Sequence, residues 1–249
     1  MLDPAHLSLL AALVFAAALL YSMVGHGGAS GYLAAMALLG LAPEVMKPTA
    51  LVLNILVSAI GTVQFARAGR FSWRVFWPFA LAAVPLAFAG GAVTLPDTSY
   101  RRVVGVVLVY AALRLWRRAG AGDGAATHPA PKAAAVPLGA AIGFLSGLTG
   151  VGGGIFLSPI LVLARWADVR TTAGVSAVFI LVNSIAGLLG RVTSVRALPP
   201  GLPVLALAAV SGGLIGSTLG SRRLPGPTLR RLLAAVLVVA AWKLIVVRM

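Results

Sequence analysis

The sequence predicts an all-α integral membrane protein with two homologous repeats, each a glycine-broken helix followed by three transmembrane helices. Of the 249 residues, 60% are hydrophobic and only 10% are charged, with a mean hydropathy of +1.00. A soluble domain is nearer half apolar and a quarter charged. A glycine cluster at residues 25–28 recurs at residues 150–154, and basic residues fall between long apolar runs. These observations exclude an ordinary soluble enzyme.

The first predicted repeat covers residues 1–118. Apolar runs close to the roughly 20 residues that cross a bilayer predict helices at 49–66, 75–95 and 101–116. They follow a broken helix at 5–42, because the glycines at 25–28 interrupt it and leave a second piece too short to cross comfortably. The Ala-, Gly- and Pro-rich stretch 119–132 is the predicted linker.

The second predicted repeat covers residues 133–249. It has a broken helix at 133–165 and helices at 172–190, 201–220 and 229–247. A Leu-Pro pair followed by two arginines occurs in both halves, as Leu95-Pro96 with Arg101-Arg102 and as Leu224-Pro225 with Arg230-Arg231. Matched motifs in the same order indicate an internal duplication.

The basic residues favour an inverted arrangement of the two halves. With inverted halves, 13 of the 20 Lys and Arg residues lie on one side and 7 on the other, whereas parallel halves give 11 and 9. The 13 are Arg67, Arg70, Arg74, Arg114, Arg117, Arg118, Lys132, Arg165, Arg170, Arg222, Arg223, Arg230 and Arg231. The positive-inside rule then predicts a cytoplasmic linker and external termini. We expect the bacterial cytoplasmic (inner) membrane as the location.

The two glycine clusters are the predicted substrate-binding site. Glycine lets a helix unwind within the membrane, and the helix that restarts offers unpaired N–H groups and a positive dipole end to an anion. Two broken helices in matching positions are typical of secondary transporters with a site near the midplane. The residues concerned are Gly25, Gly27, Gly28, Gly150, Gly152, Gly153 and Gly154. Close helix packing is the alternative role for these glycines.

Four side chains are predicted to add polar groups to this site. His26 and Ser30 lie in or beside the first cluster, and Asn54 and Asn183 lie in the helix after each break. Each asparagine could instead bridge two helices. Arg67 and Arg191 are candidates for the mouths of the pore, and snorkelling to the interface is their alternative role.

The chemistry available to the chain is narrow. It has no cysteine, and its five acids lie outside the predicted membrane runs, at Asp3, Glu44, Asp97, Asp123 and Asp168. Cation transporters usually keep a carboxylate within the membrane. We therefore expect a small anion and the bilayer as partners, with no cofactor, no metal and no nucleic acid. A homodimer remains open.

The sequence argues against the hypothesis of an enzyme. Gly28-Ala29-Ser30-Gly31 resembles the nucleophile motif of rhomboid intramembrane proteases. Such a serine needs a histidine base within hydrogen-bond reach, and the later helices carry no histidine, since His6 and His128 lie near the N-terminus and in the linker. No catalytic residue is predicted.

Gly150-Val151-Gly152-Gly153-Gly154 with Ser158-Pro159 resembles the signature of the sulfite exporter TauE/SafE family, also called the 4-toluene sulfonate uptake permeases. The resemblance implies a small duplicated transporter of sulfite, an organosulfonate or a related anion. The first half departs from the signature, because Ala29 and Ala34 replace the third glycine and the proline. A permease for another small anion or a metal cation, a lipid-handling protein and a non-transporting scaffold are the alternatives.

Overall fold

The computed structural model describes residues 3–93, 127–191 and 198–246, together with Val109, Leu113, Trp116 and Arg117. These residues form nine α-helices. They are α1 Pro4–Ser22, α2 Ala29–Leu38, α3 Pro43–Arg67, α4 Trp73–Ala92, α5 Lys132–Thr149, α6 Gly154–Leu163, α7 Val169–Gly190, α8 Leu202–Thr218 and α9 Gly226–Val246. A π-helical turn, Leu219–Arg223, extends α8. Most of the predicted helix 101–116 and residues 119–126 of the predicted linker lie outside the described residues.

The described helices have the lengths and composition of membrane spans. Six helical stretches, α1, Glu44–Arg67 within α3, α4, α5, α7 and α8 with its π turn, are long and apolar enough to cross a bilayer, whereas α2 and α6 are short and apolar. Nonpolar side chains on their outer faces remain exposed, including Leu81 at 63% and Leu207 at 70%. A lipid environment explains an apolar surface that water would not tolerate. The prediction of an all-α integral membrane protein is confirmed.

Each short helix folds back along the helix before it. Gly31 of α2 lies against Ala17 of α1, and Leu39 after α2 lines the same apolar cavity as Leu7. In the second half, the N–H of His128 before α5 donates to the carbonyl of Arg165 after α6, at 3.0 Å. Both broken helices are therefore hairpins that return to the end at which they started.

Helix α3 begins at Pro43, six residues before the predicted start at residue 49. Proline suits the first helical position because its missing N–H has no partner there, and Glu44 lies in the first turn, where the helix dipole favours an acid. These residues and Lys47 lower the local hydropathy. The apolar run in the sequence therefore begins later than the helix does. Glu44 is accordingly helical, and the prediction that all five acids lie outside the membrane runs was wrong at this position, because the candidate span begins at Glu44.

Helices α1, α3 and α8 run in the same direction. The residue pairs that touch advance together along both chains in each pairing. They are Phe15 with Gly212 and Met23 with Gly220 for α1 and α8, and Val57 with Gly213 and Gln64 with Thr218 for α3 and α8.

Helices α4, α5 and α7 form a second parallel group. Phe79 touches Gly139 and Ala87 touches Gly147 along α4 and α5, while Arg70, just before α4, touches Gly174 of α7 and Phe88 of α4 touches Gly190. In each pairing, a residue further along one helix contacts a residue further along the other.

The two groups run in opposite directions, because α3 and α7 are antiparallel. Asn54 contacts Ser184 and Gly61 contacts Ala177, so the numbers rise along one helix as they fall along the other. Compared by position in the two halves, α1 therefore runs opposite to α5, α3 runs opposite to α7, and α4 runs opposite to α8. The ancestral duplication itself stays a prediction.

Basic side chains gather at one end of the bundle, where α3 and α8 end and α4, α5 and α7 begin. The described ones include Arg67, Arg70, Arg74, Lys132, Arg165, Arg170, Arg222 and Arg223, together with Arg230 and Arg231 in the first turns of α9. The Nη2 atom of Arg170 donates to the Leu224 carbonyl at 3.1 Å, which ties the start of α7 to the end of α8. We call this the basic end. Lys47 near the start of α3 and Arg191 after α7 lie at the opposite end.

Asp168 caps α7 at the basic end. Its carboxylate accepts from the N–H groups of Arg170 and Thr171 and from the Thr171 hydroxyl. Burial raises the pKa of this carboxyl, but the hydrogen bonds from Thr171 and Arg170 lower it by more, so the pKa lies below the ordinary 3.8. The cap therefore contributes its full stability above that ordinary value and loses it as the pH falls through the lower, folded-state pKa.

Replacing Asp168 with alanine is expected to lower the free energy of unfolding by about 1 kcal/mol, because two N–H groups lose their acceptor. Asp168→Asn keeps an acceptor and is the matched control. Thermal unfolding in detergent measures both. Equal melting temperatures for wild type and the alanine variant would contradict the capping role.

Candidate functional site

Glycine is required at both breaks because of the backbone conformation there. The φ angles are +74° at Gly25 and +99° at Gly28 in the first break, and +75°, +86° and +82° at Gly150, Gly152 and Gly153 in the second. Residues with a Cβ atom rarely adopt such angles. Each break therefore reverses the chain into a hairpin within a few residues.

Asn54, in the middle of α3, joins the two breaks. Its Oδ1 atom accepts from the N–H of Ala29, the first residue of α2, at 3.2 Å. Its Nδ2 atom donates to the Ser184 hydroxyl of α7 at 3.0 Å and to the Val151 carbonyl of the second break at 3.4 Å. Asn54 is completely buried. One amide group thus contacts both hairpins and α7.

The glycines beside Asn54 leave room for its side chain. A Cβ atom at Gly27 would lie 1.9 Å from Asn54 Oδ1, and one at Gly152 would lie 2.5 Å from Asn54 Nδ2. Separations below 3.0 Å do not occur for real Cβ atoms. The amide therefore fits between the two breaks only because both positions are glycine.

The two short helices begin at this junction. Gly28 is the N-cap of α2 and Gly153 is the N-cap of α6, and neither helix receives a side-chain hydrogen bond from its own N-cap residue. The first turn of a helix carries unpaired N–H groups and the positive end of the dipole. The first break supplies its missing acceptor from Asn54, a residue 25 positions away.

His26 connects the first break to the second hairpin. Its Nδ1 atom donates to the Val24 carbonyl at 3.0 Å, which leaves Nε2 as an acceptor for the Ser158 hydroxyl of α6 at 3.3 Å. Ser158 in turn contacts the Ser176 hydroxyl of α7 at 2.7 Å. Both ring nitrogens of the predicted substrate ligand are thus engaged in contacts within the protein.

Ser30 does not meet a histidine. Its hydroxyl donates to the Tyr21 hydroxyl of α1 at 2.9 Å, while Tyr32 donates to the Gly27 carbonyl. These contacts hold the start of α2 against α1. The arrangement differs from a serine nucleophile paired with a base.

The other predicted glycines pack against neighbouring helices. A Cβ at Gly25 would lie 2.0 Å from the Ala173 carbonyl oxygen, whereas Gly150 has only ordinary contacts, the nearest at 3.6 Å from Lys47. Gly153 faces Phe179 and Gly154 faces Ile180, both on α7. These positions lie around the junction at Asn54 without contacting its amide.

Asn183 makes no hydrogen bond with Asn54 among the described residues. Its Nδ2 atom donates to the Phe179 carbonyl of its own helix at 2.8 Å, and its buried Oδ1 atom has no partner among the described residues. The two predicted mouth residues also differ, because Arg67 is exposed whereas Arg191 is only 7% exposed.

Four residues at the junction were not predicted as site residues. They are Tyr21, Ser158, Ser176 and Ser184, all buried. Ser176 and Ser184 could have been noticed as polar groups on the apolar background of α7. Their partners could not, since Ser184 contacts Asn54 of the other half and Ser176 contacts Ser158 of a different helix.

The chain is similar to known proteins along nearly its whole length. The profile of the family described as "Sulfite exporter TauE/SafE" matches residues 10–244. The "Probable membrane transporter protein y4hK" of Sinorhizobium fredii is 45% identical over 240 residues, which cover 95% of this chain and 97% of that protein. No solved structure matches the chain.

Proposed function

Because this chain belongs to the sulfite exporter TauE/SafE family, we propose that its cargo is a small sulfur oxyanion, either sulfite or an organosulfonate. The chain is an integral membrane transporter by that membership. The substrate and its site are our inference. They rest on the family's name, on the charge of the chain and on the geometry around Asn54.

The contact between Asn54 and Ala29 is the observation that carries the proposal. The amide oxygen accepts at the N-terminus of α2, 3.2 Å from the N–H group, where the dipole favours negative charge. An oxygen of sulfite or of a sulfonate carries more negative charge than an amide oxygen and could take its place. In this proposal Asn54 occupies the substrate position while the transporter is empty.

The two hairpins provide a means of alternating access. They enter the bundle from opposite ends and meet at Asn54, whose amide contacts both. Substrate that replaces the Oδ1 contact releases the first hairpin from Asn54. Rocking of one half against the other then exposes the site first to one side and then to the other.

The distribution of basic residues supports an orientation. The basic end carries at least ten described Lys and Arg side chains on its loops and helix termini, and the positive-inside rule places such an end in the cytoplasm. The bacterial source of the relative agrees with a cytoplasmic membrane. An inside-negative potential drives an anion outward with about 2.3 kcal/mol per charge per 100 mV, so export needs no coupled ion.

Transport by purified protein in liposomes tests the proposal. We expect liposomes loaded with labelled sulfite to lose it faster when they contain the protein, and faster still under an outward-directed driving potential. Unlabelled taurine and sulfoacetate should compete if the substrate class includes organosulfonates, whereas acetate should not. Liposomes without protein provide the background.

Thermal unfolding in detergent separates the alternatives. A ligand that binds only the folded protein raises its melting temperature by mass action, so we expect stabilisation by sulfite or a sulfonate. Stabilisation by nickel alone would favour a cation permease. If no tested anion stabilises the protein and none is transported, the proposal is contradicted. A scaffold or a lipid-handling protein is then the favoured hypothesis.

A further inference from the structure

Arg191 is a buried cation with no counter-charge among the described residues. It follows α7, is 7% exposed, and its Nε and Nη2 atoms have no hydrogen-bond partner among the residues that the structure describes. The ion pair found among the described residues joins Asp3 to His6. Burying an unpaired charge is costly, so such groups are normally paired.

The two unpartnered nitrogens lie on the same edge of the guanidinium group. The Nε–H and one Nη2–H bond point in nearly the same direction, and together they match two oxygens of a carboxylate, phosphate or sulfur oxyanion. Arg191 therefore keeps both donors of a two-pronged contact without a partner among the described residues, and both nitrogens are themselves buried.

Arg191 lies at the end of the bundle opposite the basic end. The antiparallel contacts Asn54–Ser184 and Gly61–Ala177 place the end of α7 beside the start of α3, near Lys47. Gly150 of the second break is also beside Lys47, since a Cβ atom there would lie 3.6 Å from the Lys47 carbonyl oxygen. One turn before Arg191, a Cβ atom at Gly187 would lie 3.3 Å from the Cα atom of Gly147, the last glycine of α5 before that break.

We propose that the Nε and Nη2 atoms of Arg191 bind two oxygens of the transported oxyanion at the mouth opposite the basic end. This inference rests on the proposed function and adds a second binding position beside the second glycine break. The charge of Arg191 attracts the anion at the end of the bundle that has few described basic side chains. Lipid phosphate has the same chemistry and is tested below as the competing ligand.

Arg67 provides a matched comparison. It ends α3 as Arg191 follows α7, and the sequence assigned both the same role. Arg67 is exposed, so water solvates its charge and its interaction with an anion is screened. The two arginines should therefore respond differently to the same substitution.

The variants Arg191→Gln, Arg191→Lys and Arg67→Gln test the inference in the liposome assay. We expect Arg191→Gln to raise the KM for sulfite by about tenfold or more, because a charge-assisted two-pronged contact is lost. Arg191→Lys keeps the charge without the fork and should lie between this variant and wild type. Arg67→Gln should stay within about twofold of wild type, as expected of a solvent-screened charge.

Folding and the identity of the anion are controlled separately. The melting temperature without ligand shows whether each variant folds. If Arg191→Gln does not fold, the KM of the Arg191→Lys variant still tests the inference. Sulfite, sulfate, thiosulfate and inorganic phosphate are then compared with vesicles of phosphatidylglycerol. Loss of stabilisation by a soluble oxyanion in Arg191→Gln supports the inference, while loss of stabilisation by phosphatidylglycerol alone overturns it.

The outcomes distinguish this inference from the proposed function. If wild type transports sulfite and Arg191→Gln has an unchanged KM, the inference fails and the proposed function stands. If wild type does not transport sulfite but another soluble oxyanion stabilises it through Arg191, the sulfur substrate fails and the oxyanion position stands. If no soluble oxyanion stabilises wild type, both fail.

Discussion

Replacing Asn54 with alanine is expected to reduce transport at least about tenfold, the effect of roughly 1.4 kcal/mol on the rate-limiting step. The change leaves the Ala29 N–H, the Val151 carbonyl and the Ser184 hydroxyl without the partner they now share. A buried polar group without a partner costs about 1–3 kcal/mol. We expect a lower melting temperature and uptake and efflux rates close to those of protein-free liposomes.

Asn54→Asp separates a binding role from a structural one. A carboxylate has nearly the same shape, keeps an acceptor for the Ala29 N–H and can accept from the Ser184 hydroxyl, although it loses the donor to the Val151 carbonyl. It also introduces a negative charge where the oxyanion is proposed to bind. We therefore expect this variant to remain folded and to lose transport. Normal sulfite transport by a folded Asn54→Asp protein would contradict an anion site at this position.

Gln64→Ala is the control for the loss of an ordinary interhelical contact. Gln64 lies on the same helix as Asn54, and its amide donates to the Thr218 hydroxyl of α8 at 3.0 Å. Such hydrogen bonds between membrane helices contribute about 0.6 kcal/mol on average. We expect its transport rate to stay within about threefold of wild type, as that energy implies.

Gly27→Ala should reproduce the Asn54 defect, because the added Cβ would lie 1.9 Å from Asn54 Oδ1. The double variant Gly27→Ala/Asn54→Ala should be no worse than Asn54→Ala alone, since the atom that causes the overlap is gone. Neighbouring residues show such non-additive effects. Additive losses would indicate that the two positions act independently.

The glycine breaks were predictable from sequence, and the junction that they form was not. A run of glycines inside an apolar stretch has few roles other than unwinding or close packing, and both breaks occur where the glycines stand. Asn54 and Asn183 look alike in sequence, because each is an asparagine in the helix after a break. Only the antiparallel register of α3 and α7 places Asn54 between the hairpins and leaves Asn183 on its own helix.

The same reason separates the two arginines. Arg67 and Arg191 each follow a long apolar helix, and hydropathy gives them the same interpretation. Their exposure depends on what packs around each helix end, and that is a property of the tertiary structure. Composition, in contrast, was sufficient for the all-helical membrane fold, because an apolar surface and internally satisfied backbone groups leave helices as the natural solution for such a chain.

Replacing Gly147 with alanine is expected to have the largest effect on stability. Gly139, Gly143 and Gly147 form a row along α5, and Cβ atoms there would lie 2.2, 2.1 and 1.9 Å from carbonyl oxygens of α4. Backbone atoms cannot turn aside as a flexible side chain can, so the helices must separate along their length. Overpacking costs about 1–3 kcal/mol and occasionally more, and we expect the upper part of that range.

Gly61→Ala is the matched control, because Gly61 is also inside a helix but a Cβ there would make an ordinary contact at 3.5 Å with Ala177. Alanine also favours the helix by roughly 0.5–1 kcal/mol relative to glycine. Gly61→Ala should therefore melt at or above the wild-type temperature, while Gly147→Ala should lose its folded peak in size-exclusion chromatography or melt far lower. Because α4 precedes the linker and α5 follows it, their close packing joins the two halves of the chain. If Gly147→Ala melts and transports like wild type, the close contact between α4 and α5 does not hold the two halves together.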